Sequence, residues 1–220
     1  MPRRKTTIGV GAFGYPIHKE LHTWEVLYRI INRRLPLTED AVFILLYQIL
    51  KQNQGIILKS VRGSKDIGGY RYFAFSPDID LLEIRKNGIV VGYELKGVTK
   101  SGRSHVPPSY YAGVDEALAY LINPVCTPMS PSAFAGSIFD YVYLVHPSSA
   151  PYHDSRIQSV ATLLDLCTPI GLVTVDYSGT REIVKPKKNP FLKEDVKQLF
   201  LRHLDAFRSS FEYKLSLVQK

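Results

Sequence analysis

Two short, β-branched apolar runs stand on either side of an asparagine–glycine pair. Ile79, Leu81, Leu82 and Ile84 precede it, and Ile89, Val90, Val91, Tyr93 and Leu95 follow. Near-alternation around a turn dipeptide predicts a β-hairpin, with Pro77 ahead of the first strand, where its missing N–H costs little. The hairpin carries Asp78 and Asp80 at the outer end of one strand and Glu94 and Lys96 at the outer end of the other. Register decides what these charges do, because opposed residues share a face. A two-residue Asn87-Gly88 turn sets Asp80 across from Leu95 and sends Glu94 to the other face. A three-residue Lys86-Asn87-Gly88 loop, with Gly88 in the left-handed position, sets Asp80 opposite Glu94 and Asp78 opposite Lys96. Two like charges at about 5 Å repel unless a cation joins them.

The remaining pattern surrounds this hairpin with helices and further strands. Ile17, Leu21, Trp24, Leu27, Tyr28, Ile31 and Leu35 recur at helical spacing, predicting an amphipathic helix over 17–35. Glu20 falls within its apolar stripe, where an acid is paired, hydrated or on a metal, or else faces water at the helix end. Pro36-Leu37 breaks the chain, and Thr38-Glu39-Asp40 signals the start of a second helix running to about Gln52. A strand over 55–61 follows, then a flexible polar loop over 62–69. That loop, with Arg62, Ser64 and Lys65, is either a phosphate-binding segment or an ordinary glycine-rich connection. Residues 97–108 show no apolar period and read as a mobile basic loop containing Lys100, Arg103 and His105. A helix is expected over 109–121, a long Pro/Ser-rich loop over 123–136, a buried strand over 140–146, a helix over 154–166 and a strand over 171–176. This order implies a parallel crossover. An edge strand over 181–185, a basic linker over 185–190 and a last helix over about 193–217 complete the chain. That helix bears an apolar seam of Val196, Leu199, Phe200, Leu204, Phe207 and Phe211.

The expected fold class is therefore α/β, a mixed central β-sheet flanked by helices. Residues 1–16 are expected to be a flexible basic leader and 17–220 one domain ending in the last helix. The Gly9-Val10-Gly11-Ala12-Phe13-Gly14 match to a dinucleotide fingerprint lacks a preceding strand, and Tyr15-Pro16 interrupts any following helix. His18 and His22 lack the glutamate placement of a zinc-protease helix. The mean hydropathy is near zero, no apolar run reaches membrane length, and no signal-peptide core is present, so a cytoplasmic, non-membrane protein is expected. Cys126 and Cys167 are expected to be reduced core thiols, and two cysteines cannot ligate an iron–sulfur cluster. A formal net charge of +8 favours a polyanionic partner.

Pro77-Asp78, Asp80 and the Glu94-Leu95-Lys96 triplet resemble the PD-(D/E)XK nuclease superfamily, and the chain looks most like its archaeal Holliday junction resolvase branch. Lys19-Glu20-Leu21 and Val61-Arg62-Gly63-Ser64 also enter that comparison, which spans about residues 17 to 120. The resemblance implies a restriction-endonuclease-like core and a Mg²⁺-dependent DNA endonuclease, with Mn²⁺ as a substitute and branched DNA as one substrate class. It implies that Asp80, Glu94 and the Leu95 carbonyl hold the metal, that Asp78 assists Asp80, and that Glu20 approaches from the first helix. Lys96 would orient the attacking water or meet charge on the phosphate. Arg62, Ser64, Lys65, Lys100, Arg103 and His105 would contact DNA. Glu116 and Tyr120, at i and i+4 of one helix, resemble the Q-x-x-x-Y element of RecB-like nucleases with Glu replacing Gln. A two-fold homodimer is also implied, with the last helix's seam or the Pro/Ser loop as its surface, unless that seam simply covers the sheet within one chain. Three other functions stay open: a RecB-like nuclease acting on DNA ends, a non-catalytic nucleic-acid-binding protein of the same fold, and a structural domain with a solvated hairpin end.

Overall fold

The computed structural model describes residues 23–61, 64–73, 78–122, 124–127, 130–148 and 153–207, with side chains 23–26, 130–134 and 153–156 set aside. Helix α1 spans Thr23–Asn32 and α2 spans Glu39–Leu50. The start of α2 follows from its sequence: the Ala41 amide donates to Thr38 Oγ1 at 3.2 Å, and Glu39 and Asp40 occupy the first turn. Its interior is apolar nearly all round. Ala41, Val42, Phe43, Leu45, Leu46, Tyr47 and Leu50 are buried, each large aliphatic or aromatic side chain contributing about 1.5–3 kcal/mol.

The chain then forms β1 (Ile56–Val61), β2 (Lys65–Ile67), β3 (Tyr70–Tyr72), β4 (Ile79–Ile84) and β5 (Val90–Leu95). Next come β6 (Thr99–Ser101), β7 (Ser104–Val106), α3 (Val114–Ile122), β8 (Val125–Thr127) and β9 (Ser130–Gly136). After them follow β10 (Tyr141–Pro147), α4 (His153–Cys167), β11 (Gly171–Asp176), β12 (Gly179–Val184) and α5 (Glu194–Arg202). The main sheet has the order β1-β4-β5-β10-β11-β12. It is mixed: β1, β4 and β5 pair antiparallel, β5, β10 and β11 parallel, and β12 closes the far edge antiparallel. The expected mixed α/β architecture is thus present, with the parallel crossover carried by α4.

One core lies on each face of this sheet. Leu82, Val90, Val142 and Leu144 pack with Tyr120, Leu121 and Phe139 on one side; Leu81, Val91, Tyr93 and Leu95 pack with α1 and α2 on the other. The central hairpin adopts the register of a three-residue loop. Leu81 lies across from Tyr93 and Ile84 from Val90, and Gly88 N–H donates to Arg85 O at 2.9 Å with Gly88 at φ +77°. Only a residue tolerant of positive φ closes this loop without strain.

Three expected loops are corrected. The stretch after β1 contains the β2–β3 hairpin, turned through Gly68 and Gly69, both at positive φ, as a primed turn requires. The expected Pro/Ser loop supplies β8 and β9, which join β2 and β3 in a second sheet of order β2-β3-β8-β9. The basic loop after Lys96 is the two-stranded β6–β7 hairpin, every residue of which is exposed, so no apolar alternation marks it.

The last helix is shorter than expected. After α5 the described chain forms a 3₁₀ turn over Leu204–Ala206. Val196, Phe200, Leu204 and Phe207 are buried within the chain, where Phe200 and Phe207 pack with Tyr72 and Phe73; Phe211 lies outside the described residues. A buried ion pair fixes α5: Lys197 Nζ lies 3.1 Å from both Asp140 carboxylate oxygens, and Asp140 Oδ2 also accepts from Val90 N–H. Cys126 is buried as expected, whereas Cys167 is exposed at the end of α4; both thiols are free. Among the described residues no helix is long and apolar enough to cross a membrane.

Candidate functional site

The hairpin register, continued one step beyond Leu81 and Tyr93, sets Asp80 across from Glu94 on the face covered by α3. Glu94 is only 2% exposed, an extreme position for a carboxylate. Its oxygens are engaged separately. Glu94 Oε1 lies 2.5 Å from Lys96 Nζ, and Oε2 is bonded to the Tyr120 hydroxyl. Lys96 also pairs with Glu116, one turn before Tyr120 on α3. Asp80 is oriented by the backbone, since the Leu95 amide donates to Asp80 Oδ2 at 2.8 Å.

Tyr120 ties these parts together. Its hydroxyl accepts from Asp80 N–H at 3.1 Å and lies 2.8 Å from the Asp78 carbonyl oxygen, so its single proton serves either that carbonyl or Glu94. Burial, then the charges of Asp80 and Glu94, push this phenol far above its usual range, keeping it a neutral donor. The i, i+4 spacing of Glu116 and Tyr120 therefore brings both to the hairpin as expected.

Electrostatics follow from crowding acids around one lysine. Burial first, a hydrogen bond to Glu116 next and the charge of Asp80 after that push Glu94 up to about 9. Burial also raises Asp80. Glu116 is lowered, chiefly by its hydrogen bond with Glu94. Burial works against the Lys96 ammonium, but Glu116 and Glu94 outweigh it and raise its pKa.

A fourth carboxylate comes from the first turn of α2, the helix that covers the opposite face of the sheet. Glu39, at the start of α2 with its side chain exposed, is pushed up to about 7 by desolvation first and by Asp80 second, with Lys96 opposing. It arrives there because the chain leaving β5 runs against the start of α2. Val98 N–H donates to Leu37 O, and a methyl group at Gly97 would stand 1.9 Å from the Glu39 nitrogen. Two more residues complete the surroundings. Gly113, at φ +82°, lies so close that a methyl group there would stand 2.7 Å from Lys96 Cε and 3.1 Å from Glu94 Cγ. His146, only 2% exposed on β10, bonds through Nε2 to the Ala112 carbonyl at 2.9 Å, beside that glycine.

The structure thus brings together Asp80, Glu94, Leu95, Lys96, Glu116 and Tyr120. Asp78 is exposed, and its carbonyl serves Tyr120. Lys100, Arg103 and His105 lie on the exposed β6–β7 hairpin, which leaves from the site. Ser64 and Lys65 are exposed at the start of the second sheet. Glu20 and Arg62 lie outside the described residues. Glu39, Gly113 and His146 escape sequence reasoning. An acid in the first turn of a helix is explained by its dipole, and only the terminal position of His146 in an apolar strand run signals it.

The donor set suits a hard divalent cation. Four carboxylates less one ammonium leave a surplus of three negative charges if all ionise, and oxygen donors favour Mg²⁺ or Mn²⁺. Among the described residues no group of three or more His, Cys, Asp or Glu side chains is placed to hold a metal ion together. Mg²⁺ commonly uses one or two carboxylates and leaves its other positions to water and phosphate.

A pH consequence follows. A carboxylate whose folded pKa is raised holds its proton when the unfolded chain has lost it, so stability falls as pH rises from the ordinary 4.5 towards about 7 for Glu39 and about 9 for Glu94. In EDTA the melting temperature should fall between pH 6 and 9, Mg²⁺ should restore more at pH 9 than at pH 6, and Glu94→Gln should flatten the slope. Scanning calorimetry at matched ionic strength checks this; a melting temperature that rises across the window contradicts the buried-acid cluster.

No protein-family model matches the chain, and neither a curated protein nor a solved structure does.

Proposed function

We propose that the chain is a metal-dependent DNA endonuclease of the PD-(D/E)XK type, hydrolysing phosphodiester bonds, with branched DNA as its favoured substrate. The observation that carries this is the convergence of Asp80 and Glu94 from opposed strands with Lys96, two residues on, gripped by Glu94 and Glu116. Asp80, Glu94 and the Leu95 carbonyl would hold Mg²⁺ or Mn²⁺, with Glu39 in the helix-borne role expected of Glu20. When bound, the cation polarises the phosphoryl oxygen and lowers the pKa of its water.

The side chains supply the rest. Lys96 stays charged and, held by two carboxylates, either orients the attacking water or meets charge on the phosphate. Tyr120 fixes the Glu94 carboxylate and the Asp80 backbone together, so the two donors keep their separation. The β6–β7 hairpin offers Lys100, Arg103 and His105 to the sugar-phosphate backbone, in keeping with the net charge of +8. A second reading, a RecB-like nuclease acting on DNA ends, draws support from the contacts that Glu116 and Tyr120 make with Lys96 and Glu94.

Incubation with a four-way junction, a gapped duplex, a blunt duplex and a single strand, in Mg²⁺ or EDTA, tests the proposal. Cleavage of branched DNA in Mg²⁺ alone is expected, and exonucleolytic ladders from ends would favour the RecB-like reading. DNA binding at low salt without cleavage would leave the non-catalytic alternative; no binding would leave a structural domain. Paired cuts across a symmetric junction require two sites, so a homodimer on junction DNA belongs to the proposal, and light scattering that finds only monomer rejects that part.

A further inference from the structure

The segment between Lys96 and Gly113 leaves the site and returns to it. It begins at Gly97, lodged against the first turn of α2, and ends at Gly113, lodged against Lys96 and Glu94. Residues 97–112 include Lys100, Arg103 and His105 and not one aspartate or glutamate, in a chain holding 20 acids. Between its fixed ends the segment exposes every residue of β6 and β7. It also exposes apolar and aromatic surface: Val106 is 44% and Tyr111 46% exposed. The Tyr110 and Tyr111 rings lie against each other, centroids 4.4 Å apart at 48°.

Cations and an exposed aromatic ring along one excursion match what a nucleic-acid strand presents. Phosphates meet the cations, and base faces meet the rings, each stacked base contributing about 1–3 kcal/mol. An uninterrupted duplex offers only base edges in its grooves, because its base faces are stacked on one another. An aromatic face can therefore select nucleotides that have left the stack. We infer that Tyr111, buttressed by Tyr110, is a stacking platform for an unpaired DNA nucleotide beside the cleavage site. This rests on the nuclease reading and ranks its substrates: DNA with unpaired nucleotides next to the bond that is cut is favoured over DNA paired throughout.

The test uses the full chain in EDTA with two DNAs of equal length, one fully paired and one carrying a short single-stranded gap with 2-aminopurine in it. Wild-type protein should prefer the gapped DNA and quench the fluorophore. Tyr111→Ala should weaken gapped-DNA binding about tenfold, within the range for one stacked base, abolish the quench and leave duplex affinity unchanged. Tyr111→Trp should retain both. Equal weakening on both DNAs, or none on either, overturns the platform. Cleavage in Mg²⁺ separates the two readings: a wild-type protein that binds selectively without cutting keeps the platform and loses the nuclease. One that cuts without selectivity does the reverse, and one that binds neither DNA loses both.

Discussion

Glu94→Gln is expected to lower Mg²⁺-dependent DNA cleavage about a thousandfold, some 4 kcal/mol of transition-state stabilisation, without unfolding the protein. The carboxylate sits opposite Asp80, near the end of the strand that leads into Lys96, so its charge would contribute both to holding the cation and to placing the lysine. The amide preserves volume and can still accept from Tyr120, yet it no longer offers a carboxylate to a cation from this buried position. The substitution should raise the apoprotein's melting temperature at pH 8, because burial first holds Glu94's pKa up to about 9, so the folded chain must keep a proton that the unfolded chain has lost, a cost the amide does not carry. Asp80→Asn and Lys96→Ala should lose cleavage comparably and keep most DNA affinity, which backbone contacts elsewhere supply. Glu116→Gln should retain more activity, since its amide oxygen can still accept from Lys96. Single-turnover cleavage with parallel melting curves measures all four; near-normal cleavage by Glu94→Gln removes the basis of the metal-site assignment.

Gly97→Ala should destabilise the fold by about 3 kcal/mol, the upper end of overpacking, and lower the melting temperature by about 6–12 °C. The added methyl would lie 1.9 Å from Glu39 N, 2.3 Å from Thr38 C and 2.7 Å from Glu39 Cα. These are backbone atoms at the capped start of α2, so no rotamer change relieves the overlap. The helix must withdraw, taking Glu39 from the site and loosening the Val98-to-Leu37 hydrogen bond. Cleavage should fall with stability. Gly102→Ala is the control: at φ +60° in the exposed hairpin turn it meets nothing within 4 Å, so it costs about 1–2 kcal/mol of backbone strain and spares the site. Equal melting temperatures for the two variants would show that α2 does not rest on Gly97 as described.

The sequence exposes the site's centre because that centre is local. Lys86-Asn87-Gly88 fixes the hairpin parity, and parity alone decides that Asp80 and Glu94 share a face. Thr38 likewise marks the start of α2 through its own side chain. What stays hidden depends on distant pairing. Strand β3 meets β8 across some fifty residues, in segments only three residues long, too short for a period to register. Glu39 approaches Asp80 only because two layers dock at Gly97, and helix-start chemistry explains an acid there by itself. The exposed β6–β7 hairpin has no buried face to impose alternation.

Because Asp80 and Glu94 face the α3 core while Glu39 belongs to a helix packed in the opposite core, the acid cluster is an emergent property of closure around the sheet. A chain that has formed its central hairpin but not yet seated α2 lacks one acid, and one that has not seated α3 lacks Tyr120 and Glu116, one of the two partners of Lys96. On the proposed nuclease function, a copy that has not closed both cores around the sheet would therefore lack part of the site.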